Sequence, residues 1–107
     1  MSPTQIIPRY KLVLTYDIRP DMHELYYQYV TQEFVPGMQE MDLYMLTVWH
    51  TAFGDRPLRQ VEFVSESLET LQDAFDSERF QALEKRLQTY IFHYSRKVVH
   101  FRDGFQF

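Results

Sequence analysis

Alternating apolar and polar residues in the middle of the chain predict a β-hairpin. The alternation runs through Tyr44–Phe53 and again through Leu58–Ser65, and Gly54-Asp55-Arg56-Pro57 separates the two runs. Glycine and aspartate accept the positive φ of a tight turn, and proline cannot continue a strand ladder. The two runs are therefore predicted to be neighbouring antiparallel strands.

A strand and a helix are predicted before this hairpin. Tyr10–Ile18 alternates with apolar residues on one face, as a half-buried strand does. Asp21 followed by Glu24 matches a capping box and predicts the start of the first helix. Pro36 falls inside the helical pattern, where it removes a backbone hydrogen bond. We therefore expect a kink or an early end near Gln32–Val35.

A helix in two pieces and a last strand are predicted after the hairpin. Ser67 is the predicted cap of the first piece. The apolar stripe of the helix slips by one residue at Asp76–Glu78, which predicts a break there. The stripe then resumes at Phe80 and continues to Tyr94, and the last strand is predicted over Arg96–Phe101.

The resulting order, βαββαβ, is that of the ferredoxin-like fold. It predicts an α+β domain with a four-stranded antiparallel sheet and helices on one face. Residues 1–107 are predicted to form a single domain, with residues 1–9 as an N-terminal arm and 102–107 as a C-terminal tail. The 107 residues and 13.1 kDa of the chain are enough for one compact core.

Composition excludes several classes of function. A net charge of −4 disfavours a nucleic-acid surface, which needs a basic stripe. The absence of cysteine excludes disulfides and thiolate chemistry, and the three glycines cannot build a phosphate-binding loop. No two of the four histidines have a metal-ligand spacing, so we expect no metal site. Without a signal peptide or a long apolar run, we expect no membrane contact and a cytoplasmic location.

Three segments resemble a known family: Glu66–Phe80, Phe34-Val-Pro-Gly-Met38 leading through Leu43-Tyr44, and Tyr94-Ser-Arg-Lys97. They are similar to the NIPSNAP-like branch of the dimeric α/β-barrel superfamily, over about residues 9–101. The resemblance implies a homodimer in which two sheets face each other to form a barrel, with the helices outside. It implies no defined reaction, because that branch is functionally mixed.

The strand pattern supports the dimer independently. If Leu12, Leu14, Tyr16, Leu46, Val48, Val61 and Phe63 face the helices, the opposite face carries a mixture of polar and apolar residues. That second set is Val13, Thr15, Asp17, Met45, Thr47, Trp49, Gln60, Glu62 and Val64. A tryptophan and several β-branched residues suit burial against a second sheet better than contact with water. The alternative is a monomer with an amphipathic outer face.

The candidate functional site is the cleft between the sheet and the helices. Five residues are predicted to project there: Tyr16, Tyr26, Tyr44, His50 and Arg59. Aromatic walls with a few polar groups are typical of sites for small molecules. We therefore predict binding of a small apolar or aromatic ligand, with no cofactor. Tyrosines at these spacings also occur in ordinary cores, with the ring packed and the hydroxyl at the surface.

Two other functions remain open. The resemblance implies relatives that are monooxygenases, and haem-degrading members use an Asn-Trp-His set that this asparagine-free chain cannot assemble. A cofactor-independent monooxygenase or isomerase-like enzyme needs only an aromatic-lined pocket and a base, for which His50 or His23 is a candidate. The third possibility is a structural or interaction protein whose cleft is filled by its own side chains.

Overall fold

Four antiparallel strands form one sheet in the computed structural model, which describes residues 7–53 and 56–101, but not the side chains of residues 49–53 and 56–57. The strands are β1 (Tyr10–Ile18), β2 (Tyr44–Phe53), β3 (Arg56–Ser65) and β4 (Ile91–His100). Their order across the sheet is β2-β3-β1-β4, so β1 and β3 are central and β2 and β4 are edges. The predicted βαββαβ order, the bounds of β1 and β2, and the antiparallel pairing of the hairpin are confirmed, but β3 begins at Arg56, two residues before the predicted start at Leu58.

The helices lie in the two crossovers. The first crossover contains a 3₁₀ turn (Pro20–Met22), α1 (His23–Tyr29), a π-helical segment (Val30–Phe34) and α2 (Val35–Glu40). The second contains α3 (Leu68–Asp76), α4 (Glu78–Leu87) and a 3₁₀ turn (Gln88–Tyr90). Within the described ranges, no helix combines the length and the apolar character needed to cross a bilayer.

One hydrophobic core lies between these helices and one face of the sheet, which we call the helix face. Leu12, Leu14 and Phe63 on this face are fully buried and pack against helical side chains such as Leu71 and Leu87. None of the described helices packs on the opposite face, which we call the open face. Helices on one face only are the arrangement that the sequence predicted.

The predicted capping box at Asp21 is wrong. Pro20 begins a 3₁₀ turn, so Asp21 already lies inside that turn, and neither the turn nor α1 has a side-chain cap. Proline favours the first helical position because its φ is fixed and its missing N–H would be unpaired there. Arg19 before it is extended, with φ −61° and ψ 127°, as a residue that precedes proline prefers.

The predicted disturbance ahead of Pro36 takes the form of a π-helical segment. Over Val30–Phe34 the bonding pattern widens, and the N–H of Val35 donates to the carbonyl of Val30, five residues back. Pro36 then occupies the first turn of α2, where it needs no donor. The helical path is therefore interrupted where the sequence predicted, and it continues to Glu40 instead of ending.

The predicted break in the second helix is confirmed at Ser77. The Ser77 Oγ accepts from the N–H of Phe80 at 3.1 Å, which caps α4, and donates to the carbonyl of Ala74 at 2.6 Å, near the end of α3. Ser67 caps α3 in the same way, accepting from the N–H of Thr70 at 3.0 Å. Both serines satisfy backbone groups that helix ends leave unpaired.

The last strand begins five residues earlier than predicted. Ile91 and Tyr94 belong to β4 and not to a helix, and the backbone of Ile91 pairs with that of Ile18. His93, expected near the end of the helix, lies in this strand with a positive φ of 56° and contacts Asp17 at 2.8 Å. The spacing of apolar residues beyond Leu87 fits both a helix and a strand. In the structure, the 3₁₀ turn before Ile91 ends the helix.

A bulge in β2 changes the predicted faces of that strand. Tyr44 pairs with Val64 and Met45 with Phe63, but the next pair is Thr47 with Glu62, so Leu46 is the extra residue. An extra residue reverses the alternation on one side of the bulge. Met45 therefore lies on the helix face and Tyr44 on the open face, the reverse of the sequence prediction.

We expect Ser77→Ala to lower the free energy of unfolding by about 1 kcal/mol, the usual value of an N-cap. The variant loses the acceptor for the N–H of Phe80 and the donor to Ala74. Urea denaturation measures the loss. Thr89→Ala is the matched control, because Thr89 is exposed and makes no side-chain hydrogen bond within the described part of the chain. Equal stability of Ser77→Ala and wild type would show that the break needs no cap.

Candidate functional site

A cavity of about 340 Å³ lies between the first helical crossover and the β2–β3 edge of the sheet. Its helical wall consists of Tyr26, Tyr27, Val30, Thr31 and Val35. Its sheet wall consists of Met45, Val48, Arg59 and Val61. We call this cavity the cleft. Among the described residues that line it, Arg59 supplies the one charged group and none supplies a carboxylate.

The bulge in β2 and the edge position of that strand create the sheet wall. The register shift puts Met45 and Val48 on the helix face, beside Val61. Among the described strands, β2 is an edge of the sheet, and Met45 and Val48 are 43% and 40% exposed. Exposed apolar side chains that line a concave surface are typical of a binding site for an apolar molecule.

Arg59 supplies the polar end of the cleft. Its Nη2 donates to the hydroxyl of Tyr27 at 2.6 Å, and its guanidinium carbon lies 5.8 Å and 5.3 Å from the ring centroids of Tyr26 and Tyr27. Its Nε is buried and has no hydrogen bond within the described part of the chain. Contacts with two rings fix the plane of the guanidinium and leave donor capacity unused.

A buried pair of tyrosines lies next to Arg59. The hydroxyls of Tyr16 and Tyr26 are 2.5 Å apart, and both residues are 1% exposed. Burial raises the pKa of Tyr16 well above its usual value, and proximity to Tyr26 adds to the rise. Burial also raises the pKa of Tyr26, although the bond to Tyr16 and the charge of Arg59 oppose it. Both hydroxyls therefore stay protonated at neutral pH.

The structure brings together some of the five predicted site residues. Tyr26 and Arg59 line the cleft, and Tyr16 lies behind Tyr26. The prediction that Tyr44 projects into the cleft is wrong: the bulge turns it to the open face, where it donates to Asp42 at 3.3 Å. The backbone of His50 pairs with that of Arg59, but its side chain lies outside the described residues. Whether these residues bind a ligand stays a prediction.

Sequence reasoning missed most of the apolar lining. Tyr27, Val30 and Thr31 follow each other at steps of three and one along the helical path, beside the stripe that enters the core. Tyr27 and Val30, which lie beside the core stripe, could have indicated that the helical path has a second apolar surface outside the core. Met45 was assigned to the other face because the bulge contains no glycine and leaves no mark in the sequence.

Comparisons with known proteins identify the fold. No protein-family model matches the sequence, and no curated protein matches it. A NIPSNAP family protein from Agrobacterium tumefaciens has a similar structure, with a TM-score of 0.65 and 18% identity, covering 90% of this chain and 95% of that one. A NIPSNAP domain protein from Burkholderia xenovorans has a TM-score of 0.65 and 12% identity, covering 90% and 96%.

A candidate antibiotic biosynthesis monooxygenase from Bacillus cereus is also similar, with a TM-score of 0.64 and 14% identity, covering 92% of this chain and 97% of that one. At such identities the likeness is one of fold. The predicted resemblance is therefore confirmed at that level: the chain has the ferredoxin-like fold of NIPSNAP proteins and of monooxygenase-type neighbours.

The tyrosine pair predicts a loss of stability in alkali. Free tyrosine ionises near pH 10, and the folded chain holds Tyr16 and Tyr26 protonated above that value. Their contribution is therefore complete below about pH 10 and is lost as the pH rises further. We expect Tyr16→Phe to make this decline shallower, by up to about 1.4 kcal/mol per pH unit. Urea unfolding between about pH 8 and pH 11 measures it, and an unchanged slope would contradict the prediction.

Proposed function

We propose that the protein binds a small, largely apolar molecule in the cleft and acts as a NIPSNAP-like homodimer. The observation that carries the binding proposal is the cleft itself. Its volume of about 340 Å³ falls within the range of small-molecule sites, and its walls are mostly aliphatic or aromatic. A protein with a purely structural role gains nothing from leaving such walls uncovered, because burying them would stabilise the fold.

The aromatic part of the lining favours a ligand with a flat or narrow apolar body. The rings of Tyr26 and Tyr27 meet edge to face, with centroids 5.1 Å apart and an interplanar angle of 76°. Rings in this arrangement present both an edge and a face to a neighbouring group, and both contacts favour aromatic or aliphatic partners. Val30 and Val35 on the same wall add surface without polar groups.

The open face supports the dimer. Val13 and Val64 on this face are almost fully buried within one chain, together with Glu62. The carboxylate of Glu62 is already paired, with the Nζ of Lys11 at 3.1 Å and with the Nε2 of Gln60 at 2.7 Å. A second copy can cover this buried carboxylate without leaving it unpaired, which keeps the desolvation cost at Glu62 low. The expectation of a dimer from the sequence rests partly on Trp49, whose side chain is not among those that the structure describes.

A second candidate is a cofactor-independent monooxygenase or isomerase-like enzyme that acts on an aromatic substrate. The observation that favours it is the protonated Tyr26 hydroxyl beside the cleft, which can donate to an oxygen of the substrate. The base that such chemistry needs is still only predicted, at His50 or His23. Oxygen uptake with each aromatic compound that binds would distinguish a monooxygenase from a binding protein, and chromatography of the recovered compound would detect an isomerase.

Ligand binding is tested by filling the cleft. Val48→Trp places a large ring in the cleft, and Val98→Trp is the matched control, because Val98 is a similarly exposed valine on the other edge strand. Small aromatic and aliphatic compounds are screened by thermal shift. Those that bind should raise the melting temperature of wild type and of Val98→Trp but not that of Val48→Trp. A ligand at a hundred times its Kd stabilises by about 2.7 kcal/mol. If no compound stabilises wild type, the binding proposal fails.

The dimer is tested by charging the open face. Ser95 is exposed and its backbone pairs with that of Thr15, so Ser95→Arg introduces a charge on the open face without disturbing the core. We expect wild type to sediment as a dimer and the variant as a monomer, because an unpaired charge in an interface costs several kcal/mol. Gln72→Arg on the exposed surface of α3 is the control and should remain a dimer. A monomeric wild type at micromolar concentration would contradict the proposal.

A further inference from the structure

The arginines of this chain differ in how their charge is balanced. Three of them pair with a glutamate at 2.7 to 3.3 Å: Arg79 with Glu40, Arg86 with Glu33 and Arg96 with Glu84. Arg59 in the cleft has no carboxylate within 4 Å in the described part of the chain. The chain carries 15 acidic residues against 11 basic ones, so acidic partners are not scarce.

The contacts that Arg59 makes among the described residues are with two tyrosines. It donates to the hydroxyl of Tyr27 and lies near the rings of Tyr26 and Tyr27. A guanidinium has five N–H donors in a rigid fork, and carboxylates match that fork with two parallel bonds. The rings hold the guanidinium in place, so a carboxylate entering the cleft would meet a preorganised partner.

The tyrosine pair offers a second donor. Tyr16 and Tyr26 together have two hydroxyl hydrogens, and the bond between them uses one. Neither hydroxyl has another acceptor in the described part of the chain. One O–H therefore remains a buried donor without an acceptor, which is unfavourable until something supplies an oxygen. Tyr26 lines the cleft, so a ligand oxygen placed there can accept that hydrogen.

We infer that the cleft recognises a carboxylate on an apolar body, with Arg59 as its charged partner and the Tyr16–Tyr26 pair as an additional O–H donor. This inference rests on the proposed binding function and specifies its ligand class. The apolar walls hold the body of the ligand, and the ligand supplies the negative charge that the lining lacks. A neutral compound of the same shape fills the walls but leaves the guanidinium unpaired.

Matched acid and amide probes test the inference by calorimetry. The probes are 2-naphthoate with 2-naphthamide, and octanoate with octanamide. We expect each carboxylate to bind wild type at least tenfold more tightly than its amide. Arg59→Ala should weaken carboxylate binding by about 10- to 100-fold, the range for charge-assisted hydrogen bonds, and should leave amide binding almost unchanged. Arg79→Ala, which removes a paired arginine outside the cleft, should leave both unchanged.

The outcomes separate this inference from the proposed function. If acid and amide bind equally and Val48→Trp abolishes both, the cleft binds ligands and the carboxylate inference is wrong. If none of the four probes binds wild type, both proposals fail. If Arg59→Ala does not fold, the comparison of acid and amide on wild type still shows whether the cleft prefers a carboxylate. Arg59→Lys keeps the charge without the fork, so it should restore part of the affinity for the carboxylate.

Discussion

The register shift in β2 is the constraint on which the cleft depends. Without Leu46 as an extra residue, Met45 would lie on the open face and the sheet wall of the cleft would lose its most exposed apolar side chain. The shift also brings the backbone of His50 opposite Arg59, which in turn lies opposite Tyr16 on β1. A single inserted residue therefore sets which side chains meet in the cleft.

The tyrosine hydroxyls beside the cleft differ from those elsewhere in the domain in the acceptors they have. Tyr29 donates to the carbonyl of Leu83 at 2.6 Å, and Tyr94 donates to the carboxylate of Glu84 at 2.6 Å. Each of these two tyrosines thus donates to an oxygen that carries no hydrogen. Within the described part of the chain, the hydroxyls of Tyr16 and Tyr26 bond only to each other, which leaves one hydrogen without an acceptor. Buried polar groups are normally satisfied, so an exception beside a cavity is more informative than another packed ring.

The sequence predicted those parts of the fold that local signals determine. The bounds of β1 and β2 and the break at Ser77 follow from alternation, from a phase slip and from capping residues. The wrong predictions arise where one residue pattern fits both a helix and a strand, or where pairing with a distant strand determines the structure. The start of β4 is set by its pairing with β1. The apolar spacing up to Tyr94 predicted a helix because that spacing contains no information about this pairing.

The candidate site was less predictable than the fold for the same reason. Arg59 and Tyr26 could be placed because each lies on a regular stretch with correct alternation or helical spacing. Tyr44 could not, because a bulge without glycine leaves the composition of the strand unchanged. Contacts between the helical path and an edge strand depend on both elements together, and neither stretch of sequence contains that information alone.

The carboxylate of Glu62 on the open face and the guanidinium of Arg59 in the cleft differ in how their charge is balanced. On the open face, Glu62 is paired within the chain by Lys11 and Gln60, so a second sheet can cover it without supplying a charge. In the cleft, Arg59 has no carboxylate partner among the residues that the structure describes. Burying that guanidinium under an uncharged surface would be costly, whereas a small acid both fills the walls and balances the charge. This difference is why we propose a copy of the chain as the partner of the open face and an anion with an apolar body as the ligand of the cleft.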